Sequence, residues 1–349
     1  MSRWAPDRLD LHSSPNESEK EPSIQGGSFA FEGPGGSISG TPTPRRIPIW
    51  IRVSPFFLSA FLFLSAVFAV FAPLPILFLN LKNGRRWGWL AILTNSAVVG
   101  FGAGKVSFAF FLIFVVTIAG GLPWLLRKRV PRKVPEPVSL ATVAGKMLLL
   151  MLVVLLGVVA AYGWLEHVHP WIALKGQITQ WIDEMGRASV QSGKSLLDGA
   201  DIDEFKSGVL VELPAAIAVF AMVMVWINLT TLLRLNPSGI RDRLGVEPFF
   251  FRHWKAPHFL VWPTIASGFL LIISAGVASD VALNVFKFLM AVYAIQGLSI
   301  LSFVFDAWNI RGLFRSLGFV VSVLLMMPLL LSLGFFDLWF DFRGKFRQS

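Results

Sequence analysis

Apolar residues in this chain come in runs of about twenty rather than at amphipathic spacing, starting at Pro55 and recurring as far as Phe335. A helix needs about twenty apolar residues to cross a hydrocarbon core of roughly 30 Å, so each run predicts a transmembrane helix. The runs fall at 55–80, 87–104, 106–126, 140–164, 209–235, 257–277, 280–303 and 312–335. The predicted fold is therefore all-α, a polytopic transmembrane helical bundle of about eight hydrophobic segments. The first run is long and contains Pro73 and Pro75, where a break is expected, with a short half-helix at 76–82. Broken helices survive in a bilayer only where protein or a watery cavity satisfies the freed backbone, so the break points to a pocket or to a plain proline kink.

Between and before the runs the chain turns polar. Residues 1–46 mix Ser, Gly, Pro and Glu with too few apolar positions for a core, and read as a disordered tail ahead of a transmembrane domain at 47–349. Residues 165–207 form an acidic loop in which Trp171, Leu174, Ile178, Trp181 and Met185 recur at three, four, three and four, one apolar stripe of a helix. Such a helix lies on the membrane surface with its Trp rings among the headgroups, or closes as a lid on the spans.

Composition agrees with the pattern: 54% of the 349 residues are hydrophobic and 15% charged, against about 45–50% and 25% in soluble domains. The chain has no Cys, which excludes disulfides, thiolate catalysis and Cys-ligated metals. Its net charge of +10 suggests a nucleic-acid partner until it is divided by region. Residues 1–46 hold five basic and six acidic groups and 165–207 hold four and seven, leaving 22 and 8 among the spans. Short basic loops are the cytoplasmic flanks of spans, so topology accounts for the excess and no nucleic acid is needed. The clusters at 127–133 and 241–255 then face the cytoplasm and 165–207 faces out. Eight simple crossings put Arg45, Arg46 and Arg52 outside, against the rule, whereas a chain that turns back near Pro73 brings them inside with Lys82, Arg85 and Arg86.

Polar groups within spans are costly and mark candidate sites. Asp280, Asn284 and Lys287 share one helix face at i, i+4, i+7 and, with Asn228 and Gln296, form a tentative ligand site in which Lys287 meets a small anionic ligand. The alternatives are a Lys stem that snorkels to the interface and amides that bond between helices, as Asn95 also would. His167 and His169 lack a third ligand, so no metal, cofactor or catalytic residue is expected.

Two carboxy-terminal motifs carry a resemblance. Phe251-Arg252-His253-Trp254-Lys255-Ala256-Pro257, with Trp262, Pro263, Gly268 and Gly297, is followed by Gly334-Phe335-Phe336-Asp337-Leu338-Trp339-Phe340-Asp341-Phe342-Arg343. Together they resemble the YybS-like bacterial membrane proteins, a family of unknown function. The resemblance implies a bundle related to the S components of energy-coupling-factor transporters, which usually have six segments. It also implies a place in the bacterial cytoplasmic (inner) membrane, multi-pass, beside membrane lipids and a transporter energising module. Arg252, Trp254 and Pro257 read as interfacial anchors, and Asp337 and Asp341 as like charges that need a cation, for which Arg343 is the candidate. The expected function is small-molecule binding or uptake, with a non-transporting scaffold as the alternative, and no enzyme activity.

Overall fold

The computed structural model describes residues 54–129, 139–191, 202–247 and 250–346. The polar tail expected at 1–46 lies outside them. Every regular element among the described residues is helical. Four stretches are long and apolar enough to cross a membrane: Arg85–Arg127, Leu140–Leu165, Ile202–Leu235 and Val277–Ala307; the bent pair Gly312–Leu325 and Met327–Phe340 would make a fifth.

The first apolar run folds as two short helices, α1 (Pro55–Leu64) and α2 (Pro73–Asn83), joined by a turn and a 3-10 segment, Ala69–Phe71. The break therefore lies at 65–72, ahead of the position expected from the prolines. Pro73 and Pro75 open α2 instead of interrupting a helix, because a proline in the first turn forfeits an N–H that has no partner there anyway. Phe56 near the start of α1 stands 6.2 Å from Trp87. Asn80 near the end of α2 crowds Gly88. Both outer ends of the pair thus meet the first turn of α3 (Arg85–Phe110), and the chain goes in and comes back.

The stretch from α3 through a π-helical segment (Phe111–Val116) to α4 (Thr117–Arg129) is long enough for two spans, and Gly104 divides it. Its φ of 81° is a conformation that glycine alone adopts freely. A Cβ on Gly120 would touch Ile92 and Trp89 at 3.8 Å, whereas residues 92 and 120 of one straight helix would lie about 42 Å apart. The chain reverses at Gly104, as the separate runs at 87–104 and 106–126 suggested.

Helix α5 (Leu140–Leu165) is followed by α6 (Pro170–Gln191), which covers the expected apolar stripe. Trp181 stacks on Phe110 at 5.9 Å and Lys206 binds Asp183 at 2.7 Å, so α6 is tied to the bundle, while Trp171 and Met185 at the stripe's ends are exposed. Then come α7 (Ile202–Leu235), the short α8 (Ile240–Arg243), α9 (Val261–Ile273) and α10 (Val277–Ala307). One apolar core joins α2, α4, α5 and α7, a second joins α1 to α3 and the π-helical segment, and a third joins α7 to α10.

The final run, expected as an eighth crossing at 312–335, is instead α11 (Gly312–Leu325) and α12 (Met327–Phe340), bent by 96° at Met326 and Met327. Fourteen residues give each limb only about 21 Å. Arg315 on α11 pairs with Asp306 at the end of α10, and Arg252 reaches the same carboxylate at 3.9 Å. Just after α12, Arg343 donates to the Arg252 carbonyl at 3.2 Å. A simple crossing would have put 252 and 343 on opposite faces. These contacts bring both ends of the pair back to one loop, and the eight segments reduce to four or five long apolar stretches among the described residues.

Candidate functional site

Three Asn side chains of the apolar helices, Asn95, Asn228 and Asn284, bond to the backbone of a neighbouring segment. Pro214 interrupts α7, leaving the carbonyl one turn earlier without its donor. Beside that break, Asn284 Oδ1 accepts from Ala215 N and its Nδ2 donates to Val211 O, both at 2.7 Å. Asn95 Oδ1 accepts from Ala60 N at 2.7 Å, fixing α1 on α3. Asn228 Nδ2 donates to Val70 O at 2.8 Å in the irregular turn between α1 and α2, and Ser59 donates to Ala72 O at 2.6 Å beside it. Irregular backbone at membrane depth must be satisfied within the protein, and these side chains do that.

The five tentative ligand residues do not converge. Along α7, Asn228 lies 16 residues from Glu212, about 24 Å, and along α10, Gln296 lies 12 residues from Asn284, about 18 Å. Lys287 Nζ binds Glu212 Oε1 at 2.5 Å, with the Lys side chain 39% and the Glu side chain 56% exposed. The Lys287 charge is met by a carboxylate of α7, one turn from the bond between Asn284 and that helix. Asp280 enters this face through its carbonyl, which accepts from Asn284 at 2.8 Å.

What does converge is the pair of motifs. Asp337, 1% exposed, accepts from Gln296 Nε2 at 3.0 Å, Arg343 Nη2 at 3.1 Å and Phe342 N at 3.1 Å. Gln296 turns its other end to Ala256 N at 2.9 Å, and Ser299 one turn on donates to the carbonyls of Phe251 and Trp254. Burial pulls the Arg343 guanidinium below its ordinary value while Asp337 opposes this. Arg343 thus serves Asp337, and Asp341 takes Lys255 at 3.1 Å. Pro257 ends this loop and leads into the 3-10 turn His258–Leu260 ahead of α9. Gln296 ties 251–256 to 337–343. Ser299, Asp306 and Arg315 were not singled out from sequence, although Ser299 shares the Gln296 face at i+3.

Two glycines allow this junction. A Cβ on Gly297 would fall on the Leu330 carbonyl oxygen, and one on Gly334 on that of Tyr293, so α10 and α12 cross with backbones in contact. Beside the crossing lies a cavity of about 340 Å³, lined by Thr264, Ile265, Gly268, Phe269 and Ile272 of α9 with Phe286, Met290 and Phe335.

Long apolar helices, tight glycine crossings and internally satisfied backbone breaks define a helical integral membrane protein. Residues 54–338 match the family described as "Predicted membrane protein (DUF2232)", and the chain belongs to it. No curated protein and no solved structure matches the chain.

Proposed function

We propose that the protein is a non-catalytic, non-transporting scaffold, multi-pass in the bacterial cytoplasmic (inner) membrane, with membrane lipids as partners. The topology proposed has six crossings, at 85–103, 105–129, 140–165, 202–235, 258–273 and 277–307, with α1/α2 and α11/α12 as re-entrant pairs. It sets Arg85, Arg86, Arg127, Arg241 and Arg252 on the cytoplasmic side, as the Lys/Arg excess requires.

One observation carries the scaffold reading: Asn95, Asn228 and Asn284 each tie two segments together apart from the bonded pair Gln296 and Asp337, and the cavity described is apolar. A polar substrate needs several such groups convergent and free to reach it. Six crossings, the usual number in S components, favour a second reading as an uptake subunit that takes a small anionic ligand and docks an energising module. Native mass spectrometry of the protein extracted in mild detergent separates the two. The scaffold reading expects no polar small molecule near stoichiometry, and equal yield for wild type and Lys287→Met. A stoichiometric anionic molecule that Lys287→Met loses overturns it in favour of uptake.

A further inference from the structure

We propose that the cavity between α9, α10 and α12 is the chain site of an anionic glycerophospholipid of the cytoplasmic leaflet, with its phosphate at the level of Lys255 and His258. The cavity opens on the outer surface of the helices: Phe269 and Ile272 on its rim are 63% and 82% exposed. Its wall is continuous with the motif loop, because α9 begins directly after Lys255, Pro257 and the 3-10 turn His258–Leu260.

Length and charge both fit this occupant. The cavity wall from Thr264 to Ile272 rises about 12 Å, within the roughly 15 Å half-thickness of the hydrocarbon core. A lipid whose phosphate lies at the loop therefore lays the middle of its acyl chain along this wall. At the headgroup end Arg252, Lys255, Arg315 and Arg343 gather with Asp306, Asp337 and Asp341, four cations to three carboxylates. Lys255 keeps 42% of its side chain exposed, and Trp262, 74% exposed, stands where an aromatic ring meets headgroups. At the waist of the cavity, Gly268 leaves the space that a side chain would fill. A Cβ there would meet only the Phe286 ring, at 3.6 Å, an ordinary contact.

That last feature supplies the test, which is independent of the scaffold reading. The full-length protein, wild type, Gly268→Phe and Lys255→Gln, is purified in mild detergent, and retained phospholipid is quantified by headgroup class. Wild type is expected to retain anionic phospholipid near one per chain. Gly268→Phe fills the cavity and should reduce retention at least tenfold with unchanged helicity and elution, since each buried methylene contributes. Lys255→Gln should keep the lipid but lower the preference for anionic over zwitterionic headgroups about fivefold. Full retention in a folded Gly268→Phe, or wild-type retention indifferent to headgroup charge, overturns the proposal. Should Gly268→Phe not fold, the wild-type preference and its loss in Lys255→Gln decide alone.

Discussion

Replacing Asn284 with Leu tests whether the break at Pro214 is held by a side chain from α10. The amide makes two bonds to α7, each 2.7 Å long, to Val211 O and Ala215 N. Hydrogen bonds between membrane helices are worth about 0.6–1.7 kcal/mol each, so Asn284→Leu should cost about 1–3 kcal/mol. At roughly 2–4 °C per kcal/mol, the melting temperature should fall by about 3–10 °C. The stronger claim is coupling. Pro214→Ala removes the ring that holds α7 open and lets Ala215 N close on Val211 O, the two groups that Asn284 bonds, so in that background Asn284→Leu should cost less than about 1 kcal/mol. Tryptophan fluorescence during thermal unfolding in detergent measures all four proteins, and elution volume checks that each is folded. Equal costs of Asn284→Leu with and without Pro214 would refute the reasoning, as would a neutral single substitution.

Other outcomes follow from the motif junction. Arg343→Met leaves Asp337 buried and unpaired and should cost about 3–5 kcal/mol, while Asp337→Leu with Arg343→Met should cost clearly less, by the same thermal measurement. Gly334→Ala puts a methyl group on the Tyr293 carbonyl and should destabilise by about 1–3 kcal/mol or more; Gly268→Ala, with ordinary contacts, should sit within about 0.5 kcal/mol of wild type. Single cysteines at Arg243 and Lys345 should resist an impermeant thiol reagent in intact cells, and one at Thr179 should label.

The apolar runs were legible because burial in lipid demands about twenty residues of uniform character. Whether a run crosses or returns was not, because α11 and α12 are as apolar as a crossing pair and only the distant partners Asp306 and Arg252 of Arg315 and Arg343 bring both ends to one face. The position of the first break was misread for a related reason: a proline signals a helix boundary without saying whether the helix ends or begins there. The polar residues in the spans were found by type, but their roles depend on pairings across the fold. Lys287 finds Glu212 and Asn284 finds the turn beside Pro214, residues more than sixty positions away. The two motifs stood out by their aromatic and charged density, and their union at Asp337 emerges only once α10 and α12 cross at Gly297 and Gly334.

The central claim is that 252–257 and 337–343 form one junction on one face of the membrane. Lys255 and Asp341, whose charged groups lie 3.1 Å apart, report on it directly. In this cysteine-free chain, Lys255→Cys with Asp341→Cys supplies the only two thiols, and a short bismaleimide applied to native membranes should join them, giving a faster-migrating band that neither single variant shows. If the last segment crosses the bilayer, the two thiols stand about 30 Å apart on opposite faces and no cross-link forms, which would contradict the account.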